Sequence, residues 1–205
     1  MKKFPEIIPV FPLSGVIYFP KTNLPLNIFE QRYLDLVNNA YSKDKLMGMI
    51  QSKKDNNEVY QVGCLGKISD YQKSKDGRVL INLTGVTRFK IIKEIPSNKL
   101  YREFEVDYKS FAEDVDINHI KIDVSNLMEQ AKTFFKRNGL LLNWKEFEKL
   151  DQTQKINTLA MIAPITNEEK QKLLETISLK NKIETLQSII KFYLYETSTN
   201  NQTIQ

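Results

Sequence analysis

The sequence predicts an α+β protein: a small β-barrel in the first half of the chain and a helical bundle in the second. Two patterns carry that prediction. Residues 1–111 fall into short strand-like runs around an Asp76-Gly77 turn, and from about Asp114 apolar side chains recur at three- and four-residue steps. Composition agrees, since 41% hydrophobic and 27% charged residues with only 7 Gly and 7 Pro in 205 exclude collagen, low-complexity disorder and a disulfide-stapled module.

The elements follow in chain order. Ile7 to Leu13 has strand composition, with Pro9 and Pro12 restricting it to an edge or a strand end. Leu24-Pro25-Leu26-Asn27-Ile28 is a second short strand, with Leu24, Leu26 and Ile28 on one side. Between Glu30 and Ser42 the period changes, and Tyr33, Leu34, Val37, Ala40 and Tyr41 mark an amphipathic helix. Leu46 to Ile50 reads as a buried strand before a polar turn at Lys53-Lys54-Asp55-Asn56-Asn57. Val62–Ser74 and Arg78–Glu94 are long strands flanking Asp76-Gly77, which suits a two-residue type I′ hairpin turn. Gly63, Gly66 and Gly85 inside these strands point to bulges or bends, and the inward set changes phase after Gly85. In Arg102 to Tyr108, Phe104, Val106 and Tyr108 face the core, and the intervening carboxylates face water.

In the second half, Ile120, Val124, Leu127, Met128, Ala131, Phe134 and Phe135 form one stripe, closed by Asn138-Gly139. Asp151 caps a helix carrying Ile156, Leu159, Ala160 and Ala163 that stops before Pro164. Thr166 and Glu169 have the spacing of a capping box, on a helix burying Leu173, Leu174 and Ile177. The last helix, from about Leu179, carries Ile183, Leu186, Ile189, Ile190 and Tyr193. The boundaries read this way are 1–111 for the barrel, 112–196 for the bundle and 197–205 for a disordered polar tail.

The residues that chemistry would need are scarce. One cysteine (Cys64) and one histidine (His119) can form neither an internal disulfide nor a zinc site. His119 reads as a solvated or satisfied side chain and Cys64 as buried packing. Gly66-Lys67-Ile68 lacks the upstream glycine and the hydroxyl of a phosphate-binding loop. The expectation is therefore a non-enzyme without catalytic residues, metal or cofactor. The prolines at 5, 9 and 12 break any signal-like apolar run, and no run is long enough to span a bilayer, so a cytoplasmic protein without membrane contact is expected.

Charge and aromatic residues leave two binding readings open. Residues 1–111 carry 18 Lys and Arg against 12 acids, a net +6, which permits an RNA-binding module. Only five of the 30 basic residues are Arg, however, and Arg dominates phosphate and base recognition. Tyr18, Phe19, Phe29 and Tyr33 with Arg32 could instead line a surface for extended polypeptide, on condition that they are exposed.

Three segments taken together resemble a known family. They are Ile8-Pro9-Val10-Phe11-Pro12-Leu13 with Tyr18-Phe19-Pro20 and Leu24-Pro25-Leu26-Asn27-Ile28-Phe29-Glu30-Gln31-Arg32-Tyr33; then Val62-Gly63-Cys64-Leu65-Gly66-Lys67-Ile68; then Asp76-Gly77-Arg78 through Gly85 to Arg88-Phe89. Their order and spacing resemble the N-terminal substrate-binding domain of ATP-dependent Lon protease, and Lys172-Leu173-Leu174-Glu175 continues the likeness into the helices. The resemblance implies a PUA-like pseudobarrel with one helix, followed by a helical bundle. It also implies a non-catalytic module that binds unfolded or partly folded polypeptides, with a protease or chaperone as a further partner. The sequence to Gln205 contains no nucleotide-binding loop and no Ser–Lys protease segment, so the closer likeness is to stand-alone bacterial proteins of this domain type. Tyr18, Phe19, Phe29, Arg32, Tyr33 and Arg88 are the binding residues this reading selects, with Arg88 placed as a charge at the barrel rim.

Overall fold

Six strands make one mixed sheet: β1 (Ile7–Leu13), β2 (Asn23–Ile28), β3 (Leu46–Gln51), β4 (Val62–Lys73), β5 (Val79–Ile95) and β6 (Arg102–Asp107). This is the architecture of the computed structural model, which describes residues 4–53, 58–115 and 122–200, with the side chains of the last helix to residue 195. The chain divides into two units, 1–117 and 118–205. The sheet order is β2-β5-β4-β3-β1-β6, and β6 pairs with β5 as well. Five strands thus close into a ring, and β2 extends from it on β5. The length of β5 allows this, since Val79–Thr84 pair with β2 and Lys90–Ile95 pair with β6. Only β1 and β3 run parallel, because the chain between them crosses over through β2 and helix α1 (Gln31–Ser42). The expected pseudobarrel with one helix is present.

The ring and the helix enclose different cores. One cluster takes side chains from every strand of the ring: Ile8 and Val10, Ile50, Leu65, Phe89 and Ile91, and Phe104 and Val106. Small barrels are filled in this way, with the lumen closed by side chains. The other cluster packs Tyr33, Leu36, Val37 and Ala40 of α1 against Met47, Met49, Ile68, Val79, Ile81 and Leu83. Val79, Ile81 and Leu83 face the helix while Phe89 and Ile91 face the lumen, although all five positions are odd-numbered. The expected phase change explains it. Gly66 pairs with Gly85 and Leu65 with Thr87, so Val86 is left over, and one extra residue reverses which parity points inward.

Gly85 sits beside that bulge for a steric reason. A Cβ there would overlap the carbonyl oxygen of Phe19 and press on Pro20. The loop is held this close because the Lys21 N–H donates to Gly85 O and the Gly85 N–H donates to Thr22 O, both at 2.9 Å. The hairpin between β4 and β5 forms where expected but with a different turn. Only Gly77 has a positive φ (89°), so the loop is three residues, Lys75-Asp76-Gly77, and not a two-residue type I′ turn. Asp76 stabilises the wider form by accepting from the Arg78 N–H and Nε. Tyr108, expected in the core, is only partly buried, and the turn at 54–57 lies outside the described residues.

The second unit contains α2 (Ser125–Arg137), α3 (Trp144–Glu148), α4 (Gln152–Ile162), α5 (Asn167–Glu175) and α6 (Leu179–Asn200). Helix α6 packs against α2, α4 and α5. Asp151 with Gln154 and Thr166 with Glu169 form reciprocal capping boxes, and Gly139 closes α2 at φ 68°. Three expectations are corrected. Helix α2 starts at Ser125, after Val124, and Ile120 lies outside the described residues. Ile177 is exposed because α5 ends at Glu175 and leaves it in the link to α6. The backbone of α6 continues through Asn200, past the expected start of a disordered tail at 197, since no Pro or Gly interrupts it; residues 201–205 lie outside the described residues.

Gly85→Ala should lower the unfolding free energy by about 1–3 kcal/mol, as overpacking against backbone does, and chemical denaturation measures it. An unchanged midpoint would mean that the Phe19–Thr22 loop can withdraw freely.

Candidate functional site

Where the chain leaves β6 it turns at Tyr108 into a 3₁₀ segment, Lys109–Asp114, that packs back on β5. Asp114 fixes that segment. Its carboxylate accepts the Arg88 backbone N–H at 2.8 Å, Nε at 2.9 Å and Nη2 at 2.7 Å. The two side chains are 2% and 7% exposed, and the guanidinium carbon lies 4.4 Å from the centre of the Phe111 ring. A buried charge needs this degree of satisfaction, from a counter-charge and several hydrogen bonds together. Arg88 therefore braces the 3₁₀ segment from within and is not a charge at the barrel rim.

The N-terminal segment forms the facing wall. The Val106 N–H donates to Glu6 O at 2.8 Å, and the Tyr108 hydroxyl donates to Pro5 O at 2.8 Å. The Phe4 and Tyr108 rings meet at 5.4 Å. Burial pushes the Tyr108 hydroxyl pKa well above its ordinary value. Between the two walls opens a groove of about 550 Å³. Phe4, Val106, Tyr108, Phe111, Ala112 and Val115 supply apolar lining, and Glu6, Glu105, Asp107 and Lys109 supply charge.

Ile92 stands at one side of this groove and is 57% exposed. A second bulge puts it there: Ile91 pairs with Val106 and Lys93 with Glu105, so Ile92 has no opposite residue. Beyond it lies a second hollow of about 450 Å³ lined by Lys53, Glu58, Gln61, Lys93, Glu94 and Arg102. Those charges are matched, with Arg102 donating to Glu94 at 2.8 and 2.7 Å and holding its carboxyl below the usual carboxylate range. The signal for Ile92 is legible in the sequence, since Ile91-Ile92 cannot both face inward from one strand. The 3₁₀ wall has no such signal.

The six residues selected from the sequence do not converge here. Tyr18, Phe19 and Tyr33 are buried; Tyr18 and Tyr33 belong to the core under α1, and Phe19 packs where the loop crosses Gly85. Aromatic side chains of this size stabilise most when removed from water, and the condition of exposure is not met. Phe29 is 66% exposed at the end of β2. Arg32 is also exposed, paired to Glu30 at 2.9 Å and stacked 4.5 Å over Tyr33. Cys64 is buried in the core under α1. His119 lies outside the described residues.

The groove offers shape, apolar area and charge. Among the described residues no group of three or more His, Cys, Asp or Glu side chains is placed to hold a metal ion, and no helix is long and apolar enough to cross a membrane.

Comparison with known proteins gives a consistent result. Residues 7–191 match the family model described as the ATP-dependent protease La (LON) substrate-binding domain. The Lon protease of Syntrophus aciditrophicus (strain SB) is 28% identical over 208 residues, covering 94% of this chain and 26% of that protein. The chain spans about a quarter of the length of the curated relatives it matches. Among solved structures, a Lon N-terminal domain protein from Xanthomonas campestris superposes with a TM-score of 0.66 at 20% identity, covering 89% of this chain and 97% of that one. The N-terminal domain of the Mycobacterium avium complex Lon protease gives 0.67 at 17% identity, covering 90% and 98%. At these identities the two structures establish the shared fold.

Asp114→Asn removes the negative charge that accepts three N–H groups of the buried Arg88, so urea denaturation should show a loss of about 3–5 kcal/mol. Replacing Arg88 and Asp114 together by Met and Leu should recover most of that loss. Alkaline pH provides a second check. Burial raises the pKa of Tyr18 and Tyr108 above the ordinary value of 10.0. Above that pH the unfolded chain releases protons that the folded chain keeps, so stability is full below about pH 10 and falls above it. The fall in urea midpoint should be shallower in Tyr108→Phe.

Proposed function

The chain belongs to the ATP-dependent protease La (LON) substrate-binding domain family, and on that premise we propose that it is a non-catalytic module binding unfolded or partly folded polypeptide in the groove between Phe4, Ile92 and Phe111. The observation that carries the reading is an apolar, aromatic-lined depression of about 550 Å³ on the barrel, bordered by the exposed Ile92 and Val115. A hollow of that volume takes a few side chains of an extended segment, and burying them supplies the affinity. The walls fit such an occupant: the half-buried Phe4 and Tyr108 and the exposed Val115 give apolar contact, and the bulged Ile92 projects between the two hollows. Among the described residues that line the groove none is a nucleophile paired with a base, which supports holding a chain over cleaving it. Acting in the cytoplasm and delivering segments to a protease or chaperone partner complete the proposal.

RNA fits this groove poorly. Its lining carries three carboxylates and one lysine, the wrong sign for phosphate.

Ile92→Ser tests the reading, because an exposed side chain can be shortened with a stability change within about 0.5 kcal/mol. Titrating the intact protein into a reduced, alkylated and fluorescently labelled polypeptide should show binding weakened by about tenfold, the scale of one apolar side chain no longer buried. Equal affinity of the variant and the unaltered protein would remove this groove as the site.

A further inference from the structure

Charge on the groove names the class of segment it selects, on the reading that the groove binds polypeptide. Residues 1–111 carry a net +6, yet the groove lining carries Glu6, Glu105 and Asp107 against Lys109 alone. Glu105 is compensated by Lys93 at 3.1 Å, across the strand pair on the side of the second hollow. Glu6 and Asp107 form no ion pair among the described residues. Lys90 lies opposite Asp107 in the strand register and makes no ion pair with it, and among the described residues the Asp107 carboxylate accepts the Lys109 backbone N–H, at 3.3 Å. Two carboxylates without an ion-pair partner among the described residues therefore border an aromatic pocket in the basic first half of the chain. The faces of Phe4 and Tyr108 add to the same preference, since aromatic faces attract cations. The hollow beyond Ile92 differs in having its acids and bases matched.

We infer that the groove selects polypeptide segments in which an aromatic or aliphatic residue is flanked by Lys or Arg. The apolar residue enters against Phe4 and Tyr108, and a flanking cation lies against Glu6 or Asp107. Specificity of this kind is a difference between affinities: the acids add a little for a cationic neighbour and oppose an acidic one.

Three fluorescent peptides that differ only at the two positions flanking a central Phe (Lys, Gln or Glu) should be titrated with the intact 205-residue protein at low and high salt. The expected order is Lys over Gln over Glu, with roughly fivefold between the extremes at low salt and a smaller gap at high salt. In Glu6→Gln/Asp107→Asn, both changes on the surface and sparing the Asp107 acceptor oxygen, the three affinities should converge. Equal binding of all three by the unaltered protein, or an order that survives in the double variant, overturns this inference and leaves polypeptide binding standing. Absence of binding by all three overturns the polypeptide reading and the inference together. Ile92→Ser separates them further, since it should weaken all three peptides alike without changing their order.

Discussion

A guanidinium buried against a carboxylate sets the terms for the barrel unit. An interior charge is tolerated only when its partner and its hydrogen bonds are all in place. Arg88 lies in the long strand shared by both parts of the sheet, and Asp114 lies 26 residues later at the end of the 3₁₀ segment. Satisfying the pair draws that segment against β5, which lays Phe111 over the guanidinium and stands Ala112 and Val115 along an apolar depression. The wall of the groove is thus a by-product of an electrostatic requirement inside the protein, and its position is as rigid as that pair.

Two single-residue irregularities in β5 do the remaining shaping. At Val86 the extra residue exchanges the two faces of the strand, so one continuous segment fills both the space under α1 and the lumen of the ring. At Ile92 the extra residue directs an isoleucine into solvent between two hollows. An exposed isoleucine in isolation is ordinary. One held out by a bulge at the border of an aromatic groove is a feature of the surface that the backbone itself imposes.

Most elements are legible in the sequence because they rest on local rules. Period-two alternation marks Phe104 and Val106, and capping chemistry marks Asp151 and Thr166. What escapes depends on contacts between distant residues. The burial of Arg88 requires Asp114, which no spacing rule links to it. Tyr18, Phe19 and Tyr33 read as an exposed binding surface in sequence and prove to be packed, because an aromatic residue beside a lysine or arginine has the same local pattern in either setting. The three-residue hairpin loop was hidden for a similar reason: Asp-Gly suits more than one turn, and the Asp76–Arg78 contact favours the wider one. The groove residues were missed as a set, since they come from the N-terminus, β5, β6 and the 3₁₀ segment.

The double duty of β5 also restricts how this unit can vary over evolutionary time. Its first residues are in register with β2 and its last with β6, and the odd-even assignment along it is reversed once between them. Gain or loss of one codon within that stretch would turn Phe89 and Ile91 out of the lumen and break both registers together. Length differences among descendants of this chain should therefore accumulate in the connecting loops, and the 17-residue span of β5 should stay constant even where its amino acids drift.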